Sequence, residues 1–179
     1  IVDSAGNTFG YKVFEELERR IKDNGWCDYQ SSSNVIEIFS KYRERLGEYL
    51  NDPNVLKTVS SRLQVGTLIR VSLEYEVDSV KINLDVLGEN GEDVYLSEKA
   101  VINNIDQNQV VSTLLNWLEI YEAQIPYDGK VIGVLGEQIT FNLPKSKMVS
   151  IGQEFTIKKL ITKKKHPLLK KVVEWDSLV

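Results

Sequence analysis

A chain of 179 residues with 42% hydrophobic and 27% charged side chains has ordinary globular composition, and none of its apolar runs approaches the roughly 18 residues that a membrane-crossing helix needs. Residues 1–125 hold 12 Lys/Arg against 21 Asp/Glu, whereas residues 126–179 hold 10 Lys against 5 acids, so a net charge of −4 conceals two parts of opposite sign. That reversal predicts a boundary near Gln124 to Gly129 and a C-terminal part that meets something acidic, either a partner or the other half of the chain.

The only cysteine, Cys27, excludes an internal disulfide and a multi-cysteine metal site, and is expected as a small buried hydrophobe beside Trp26. The start at Ile1, with no initiating Met, is expected of a processed or trimmed piece whose targeting segment lies outside it.

From Tyr11 to Asp23, Phe14, Leu17 and Ile21 share one face with Val13 beside them, and Glu15, Glu16, Glu18, Arg19 and Lys22 lie largely opposite, which predicts an amphipathic helix ended by Asn24-Gly25. Trp26 to Tyr29 suits a short strand. Asn34 with Glu37 three residues on predicts the capping box of a second helix carrying Ile38, Phe39, Tyr42, Leu46 and Tyr49. Asp52-Pro53 starts a third, burying Val55, Val59 and Leu63 with Leu56 close by. After Gly66 the period changes to two: Val71, Leu73, Tyr75 and Val77 lead through Asp78-Ser79 to Val80, Ile82, Leu84 and Val86. Asn90-Gly91 marks another turn and Val94 to Ile102 a third strand, making 67–102 a three-stranded meander. Asp106, with Gln109 in the capping-box position, opens a fourth helix whose apolar face is Val111, Leu114, Leu115, Leu118 and Tyr121.

Beyond the linker Ile125 to Gly129, apolar residues alternate through Val131, Ile132 and Val134 and again through Ile139, Phe141 and Leu143, broken at Gly133 and Gly136. Two short strands and a tight turn follow, and a small β-barrel is implied. The lysines 158, 159, 163, 164, 165, 170 and 171 are expected to project from a hairpin between a strand ending near Leu160 and one containing Val172 and Val173.

No pattern in the residues points to catalysis. His166, the only histidine, has no obvious partner in a Lys-Lys-His-Pro turn. Glu74, Glu76 and Asp78 lie on one strand face opposite Leu73, Tyr75 and Val77, the arrangement of a solvated outer surface rather than of a glycosidase pair. Trp117 and Trp175 are expected in packing roles, with interface anchoring the less favoured reading. The lysine set lacks the interleaved aromatics of a single-strand-binding platform.

With both halves laid out, Gly129-Lys-Val-Ile-Gly-Val, the strand Gln138 to Asn142, and Ile151-Gly-Gln-Glu-Phe-Thr-Ile resemble the C-terminal pattern of the flagellar assembly protein T family, periplasmic proteins that help build the ring around a polar, sodium-driven flagellar motor. Tyr11 to Tyr121, with the helix Val13 to Ile21, the run Val65-Gly-Thr-Leu-Ile-Arg-Val into the meander and a closing helix, are similar to the α/β module which that family shares with the N-terminal domain of the translocation protein TolB and with curli-secretion-like lipoproteins. The chain departs from the pattern at Pro144-Lys145, where a glycine is usual, at the first α/β strand, missing or reduced to Ile1-Val2, and in lacking the distinctive N-terminal domain.

The resemblance implies a TolB-N-like α/β (α+β) domain over residues 1–125, built of a three-stranded antiparallel meander with flanking helices, followed by a small SH3-like β-barrel over 126–179. It implies a non-enzymatic periplasmic protein that works through protein–protein contacts in a bacterial envelope, as a flagellar-motor ring or assembly accessory. The alternatives are an envelope lipoprotein unrelated to motility and an anion- or nucleic-acid-binding module using the lysine hairpin. No cofactor, metal or nucleic acid is expected. The expected partners are envelope proteins, flagellar basal-body components among them, with a homo-oligomer left open. The candidate partner-binding residues are Lys158, Lys159, Lys163, Lys164, Lys165, Lys170 and Lys171.

Overall fold

The computed structural model of the chain describes residues 2–3, 8–24, 27, 29–39, 49–125, 127–143, 148–165 and 171–178. In chain order they form β1 (Val2–Asp3), α1 (Thr8–Asn24), α2 (Ser32–Phe39), α3 (Pro53–Leu63), β2 (Thr67–Tyr75), β3 (Ser79–Gly88), β4 (Val94–Asn103), α4 (Gln107–Gln124), β5 (Lys130–Leu135), β6 (Gln138–Asn142), β7 (Lys159–Lys165) and β8 (Val172–Leu178). This is a mixed α/β protein around an antiparallel meander β2-β3-β4, widened by β1, which pairs parallel with β2 through Val2 opposite Ser72 and Asp3 opposite Leu73. The first strand is therefore present, though only two residues long.

The meander has the expected alternation. Val71, Leu73, Val80, Ile82, Leu84, Val86, Leu96 and Ile102 are all buried, joined by Val13, Leu17 and Ile21 from α1 and by Val110, Val111, Leu114, Trp117, Leu118 and Tyr121 from α4. Two helices thus lie against one sheet face with stripes at helical spacing, burying the apolar area that drives folding. On α1 the central stripe is Val13, Leu17 and Ile21, and Phe14 is only half-buried. On α3 the buried residues are Leu56, Val59 and Ser60, so Val55 and Leu63 sit at the margin of the face rather than its centre.

The caps explain the helix starts. Asp52 accepts from the Asn54 amide at 2.9 Å with Pro53 following, and Asp106 accepts from the amides of Asn108 at 2.9 Å and Gln109 at 3.5 Å. The second helix begins earlier than its capping-box reading. Ser31 takes the capping role, its Oγ receiving the Ser33 amide, because three consecutive serines offer a hydroxyl before Asn34 is reached. Cys27 is half-buried against the core and, like Tyr29, lies outside any strand. Trp26, Tyr42, Leu46, Pro126, His166 and Lys170 fall outside the described residues.

The β2–β3 turn lies one residue earlier than the expected Asp78-Ser79. Tyr75 pairs with Val80, and the Glu76 amide donates to the Ser79 carbonyl at 2.9 Å, so the turn itself is Val77-Asp78. Val77 is solvent-exposed in that loop rather than in a strand. The β5–β6 turn is Gly136-Glu137, with Gly136 at φ +60°, the first position of a two-residue turn where only glycine is unstrained.

The C-terminal part departs most from expectation. Among the described residues it consists of two separate two-stranded antiparallel sheets, β5–β6 and β7–β8, not a closed barrel. Residues 151–157 have no ladder partner there and begin with a turn in which the Gln153 amide donates to the Ser150 carbonyl at 3.1 Å, with Gly152 at φ +89°. Lys163, Lys164 and Lys165 are within β7 rather than in the loop beyond it, since the ladder continues from Lys159 opposite Leu178 to Lys165 opposite Val172.

Candidate functional site

Two surfaces bring together the residues that sequence reasoning singled out. The first begins at the β3–β4 turn. The Asn90 side-chain oxygen accepts from the amides of Glu92 at 3.1 Å and Asp93 at 3.0 Å, while the Gly88 amide donates to the Asp93 carbonyl at 2.8 Å. Gly91 takes φ +70° between them. This fold of the turn holds Asp93 at the head of β4, where it is buried.

Two lysines of β7 reach that carboxylate. Lys163 Nζ lies 3.4 Å from Asp93 Oδ2 and donates to the Tyr95 hydroxyl at 2.7 Å, and Lys165 Nζ pairs with Asp93 Oδ1. The Lys163 ammonium also stands 5.2 Å from the Tyr95 ring centroid, and that ring stacks on Tyr121 of α4 at 6.1 Å. Burial alone would raise the Asp93 pKa, but Lys165, Asn90 and Lys163 overcome it and hold the carboxyl below its ordinary range. Burial likewise works against the charge of Lys163, and Tyr95 with Asp93 reverses that effect, keeping its pKa above the ordinary value. Burial pushes Tyr121 up to about 12, so its phenol stays neutral. Beside this polar contact Lys171 bridges Val94 in parallel, and Val172 enters the α/β core.

The structure therefore divides the lysine set. Lys163, half-buried, and Lys165, which stays exposed, both engage Asp93, Lys171 is half-buried at its bridge to β4, and Lys164 stands exposed opposite Glu174 in the ladder. Lys158 and Lys159 are exposed where β7 begins. Asp93 and Tyr95 escaped sequence reasoning because their role is set by residues about 70 positions away; the only available signal was the opposite charge of the two halves.

The second surface is apolar. Val131, Ile132, Val134 and Leu135 of β5 are solvent-exposed, as are Ile139 and Phe141 of β6, and Met148, Val149, Ile151, Phe155 and Ile157 continue the series. Phe141 and Phe155 are in aromatic contact there, ring centroids 5.0 Å apart. Single exposed apolar residues are common, but a run of this extent is not.

Several other polar groups have structural partners. Glu76 is held below its ordinary pKa chiefly by hydrogen bonding to Lys81, with Ser79 helping, and stands exposed with Glu74 and Asp78 as an outer surface. Asp85 is buried on the sheet face away from α1 and α4, receiving Arg70, Asn83 and Ser97. Arg70 continues to the Leu50 carbonyl at 3.0 Å and Asn51 Oδ1 at 2.8 Å, tying β2 to the chain that leads into α3. Trp117 is a core residue. Among the described residues no cluster of His, Cys, Asp and Glu is arranged to hold a metal, and no helix is long and apolar enough to cross a membrane. No family model, curated protein or solved structure matches the chain.

Proposed function

We propose that this chain is a non-enzymatic protein-binding component of a bacterial envelope, periplasmic, with a role as a flagellar-motor ring or assembly accessory. The observation that carries the binding reading is the exposed apolar series from Val131 to Ile157, a surface without chemistry of its own but with the composition of an interface centre. The exposed Lys158 and Lys159 lie next to it in sequence and supply a charged rim, the usual place for groups that set association rate and salt sensitivity. The flagellar assignment is supported by the resemblance of Gly129 to Val134, Gln138 to Asn142 and Ile151 to Ile157 to that family's C-terminal pattern. In this reading the C-terminal part is an open form of the SH3-like barrel, with β5–β6 and β7–β8 as its two hairpins.

The pairing of Lys163 and Lys165 with Asp93 weighs against an anion-binding hairpin. The test compares Ile132→Ser/Leu135→Ser with Lys158→Ser/Lys159→Ser for association with isolated basal bodies at two salt concentrations. The apolar variant should lose about tenfold or more at both salts, and the lysine variant should lose mainly at low salt. Undiminished association of the apolar variant would remove the binding reading. Unchanged motility and basal-body composition in a strain lacking the protein would remove the flagellar one.

A further inference from the structure

The segment that leads into β7 has the period of a strand but no ladder. From Gln153 to Lys158 the chain reads Gln-Glu-Phe-Thr-Ile-Lys, apolar at Phe155 and Ile157 and polar between, yet among the described residues it pairs with no strand. Among the same residues β6 pairs only with β5, which leaves its other edge without a strand. The bulge of this hairpin lies in β5, at Ile132, and β6 runs in unbroken register from Gln138 to Asn142. Phe155 already touches Phe141 of β6, ring centroids 5.0 Å apart. Val131, Ile139, Phe141, Phe155 and Ile157 are 39% to 49% exposed, against 80% to 108% for Leu135, Met148 and Ile151, the difference expected of side chains that meet loosely on one face.

We propose that residues 154–158 close onto β6 as an antiparallel third strand, and that this closure assembles the apolar docking face. The residues select the register. Setting Phe155 opposite Phe141 places Thr156 opposite Thr140 and Ile157 opposite Ile139, so aromatic, hydroxyl and branched aliphatic side chains each meet their like, pairs that stabilise antiparallel sheets. A parallel strand with the same Phe pair would set Gln153 opposite Ile139 and Glu154 opposite Thr140, and would leave Ile157 beyond the end of β6. Because Phe141 pairs with Val131 and Ile139 with Val134, the closed sheet carries two apolar rows on one face: Val131, Phe141 and Phe155 in one, Val134, Ile139 and Ile157 in the other. A two-stranded hairpin is only marginally stable in water, and a third strand with an apolar face is what it lacks. The same run continues directly into β7, whose Lys163 and Lys165 pair with Asp93, so closure also ties the docking face to the α/β part. A face ordered in advance loses less conformational freedom on binding, which makes closure a control on partner association. The inference rests on the reading of this surface as a protein interface and deepens it.

Cysteine crosslinking in the whole chain, with Cys27→Ala as background, reads the register. In dilute solution Thr140→Cys/Thr156→Cys should oxidise within one chain about tenfold faster than Thr140→Cys/Glu154→Cys, whose second cysteine is one strand repeat out of register and too far to bridge without backbone movement. Adding Phe155→Ser and Ile157→Ser, which removes both apolar pairs and leaves the cysteines in place, should bring the faster rate down to the slower one. The oxidised Thr140→Cys/Thr156→Cys chain should associate with isolated basal bodies at least as well as its reduced form. A registered pair that oxidises no faster than the offset pair, or only between chains, overturns the closure. Should Ile132→Ser/Leu135→Ser still weaken basal-body association in that case, the protein-binding reading stands and the closure alone fails. An oxidised chain that associates less well than its reduced form overturns the closed sheet as the docking face. Fast registered crosslinking, with basal-body association indifferent to Ile132→Ser/Leu135→Ser, supports the strand closure and removes the protein-binding reading.

Discussion

Lys163 donates from Nζ to the Tyr95 hydroxyl at 2.7 Å across a separation of 68 residues, joining the C-terminal hairpin to the α/β sheet. With Asp93 between Lys163 and Lys165, this contact brings together the acidic first part of the chain and its basic second part. A pair this sheltered matters more to stability than an exposed one, since removing either partner leaves the other charge poorly solvated.

Asp93→Asn should therefore destabilise the chain by about 1–3 kcal/mol, less than a fully buried pair because the lysines keep partial access to water. Urea denaturation measures the loss. Lys163→Met should produce a comparable change, and the double variant should lose less than the two single losses combined, the signature of residues acting on each other. Strict additivity would show that the contact does not couple them.

The same pair sets a pH dependence. The Asp93 pKa is lowered from 3.8, so its stabilising contribution is present above that value and disappears as pH falls through the folded-state pKa. The Lys163 pKa is raised from 10.5, so its contribution is present below that value and disappears as pH rises through the folded-state pKa. The stability gap between parent and Asp93→Asn should be flat from about pH 5 to 9 and shrink in acid below about pH 4. A gap that persists in acid would assign the effect to packing rather than charge.

Gly91→Ala should cost about 1–3 kcal/mol. Its φ of +70° disfavours a side chain, and a Cβ there would lie 2.7 Å from the Pro53 carbonyl oxygen and 2.8 Å from Leu56 Cβ. Gly66→Ala is the control: a Cβ at that position would meet nothing within 4 Å and its φ is not in the left-handed region, so the cost should stay below about 0.5 kcal/mol. Equal costs at both positions, read from thermal or urea unfolding, would show that crowding against α3 is not the cause.

Leu114→Ala should destabilise by about 2–5 kcal/mol, because this α4 residue is fully buried against the meander and its truncation opens a cavity. Denaturant unfolding gives the value directly. A loss below about 0.5 kcal/mol would mean that the α4 face closes over the gap without penalty.

The helices α1 and α4, the Asp52 and Asp106 caps and the meander were legible because each depends on neighbours within one or two turns or within one strand. Val71, Leu73, Val80 and Ile82 announce their face by alternation alone. Trp117 was less legible, since a helical aromatic suits a core or an interface and only the position of α4 against the sheet places it inside. The start of α2 misled because three serines compete with Asn34 for the same cap.

What the sequence by itself determined was local: the apolar faces, the turn at Asn90-Gly91 and the opposition of charge between the two parts. Tertiary structure alone decided that Lys163 and Lys165 pair with Asp93 while Val131, Ile132, Val134 and Leu135 stay in water. The physical reason is range. Side-chain period and capping are set by atoms a few residues apart, whereas an ion pair spanning 70 residues and the exposure of an apolar strand depend on which surfaces the folded chain brings face to face.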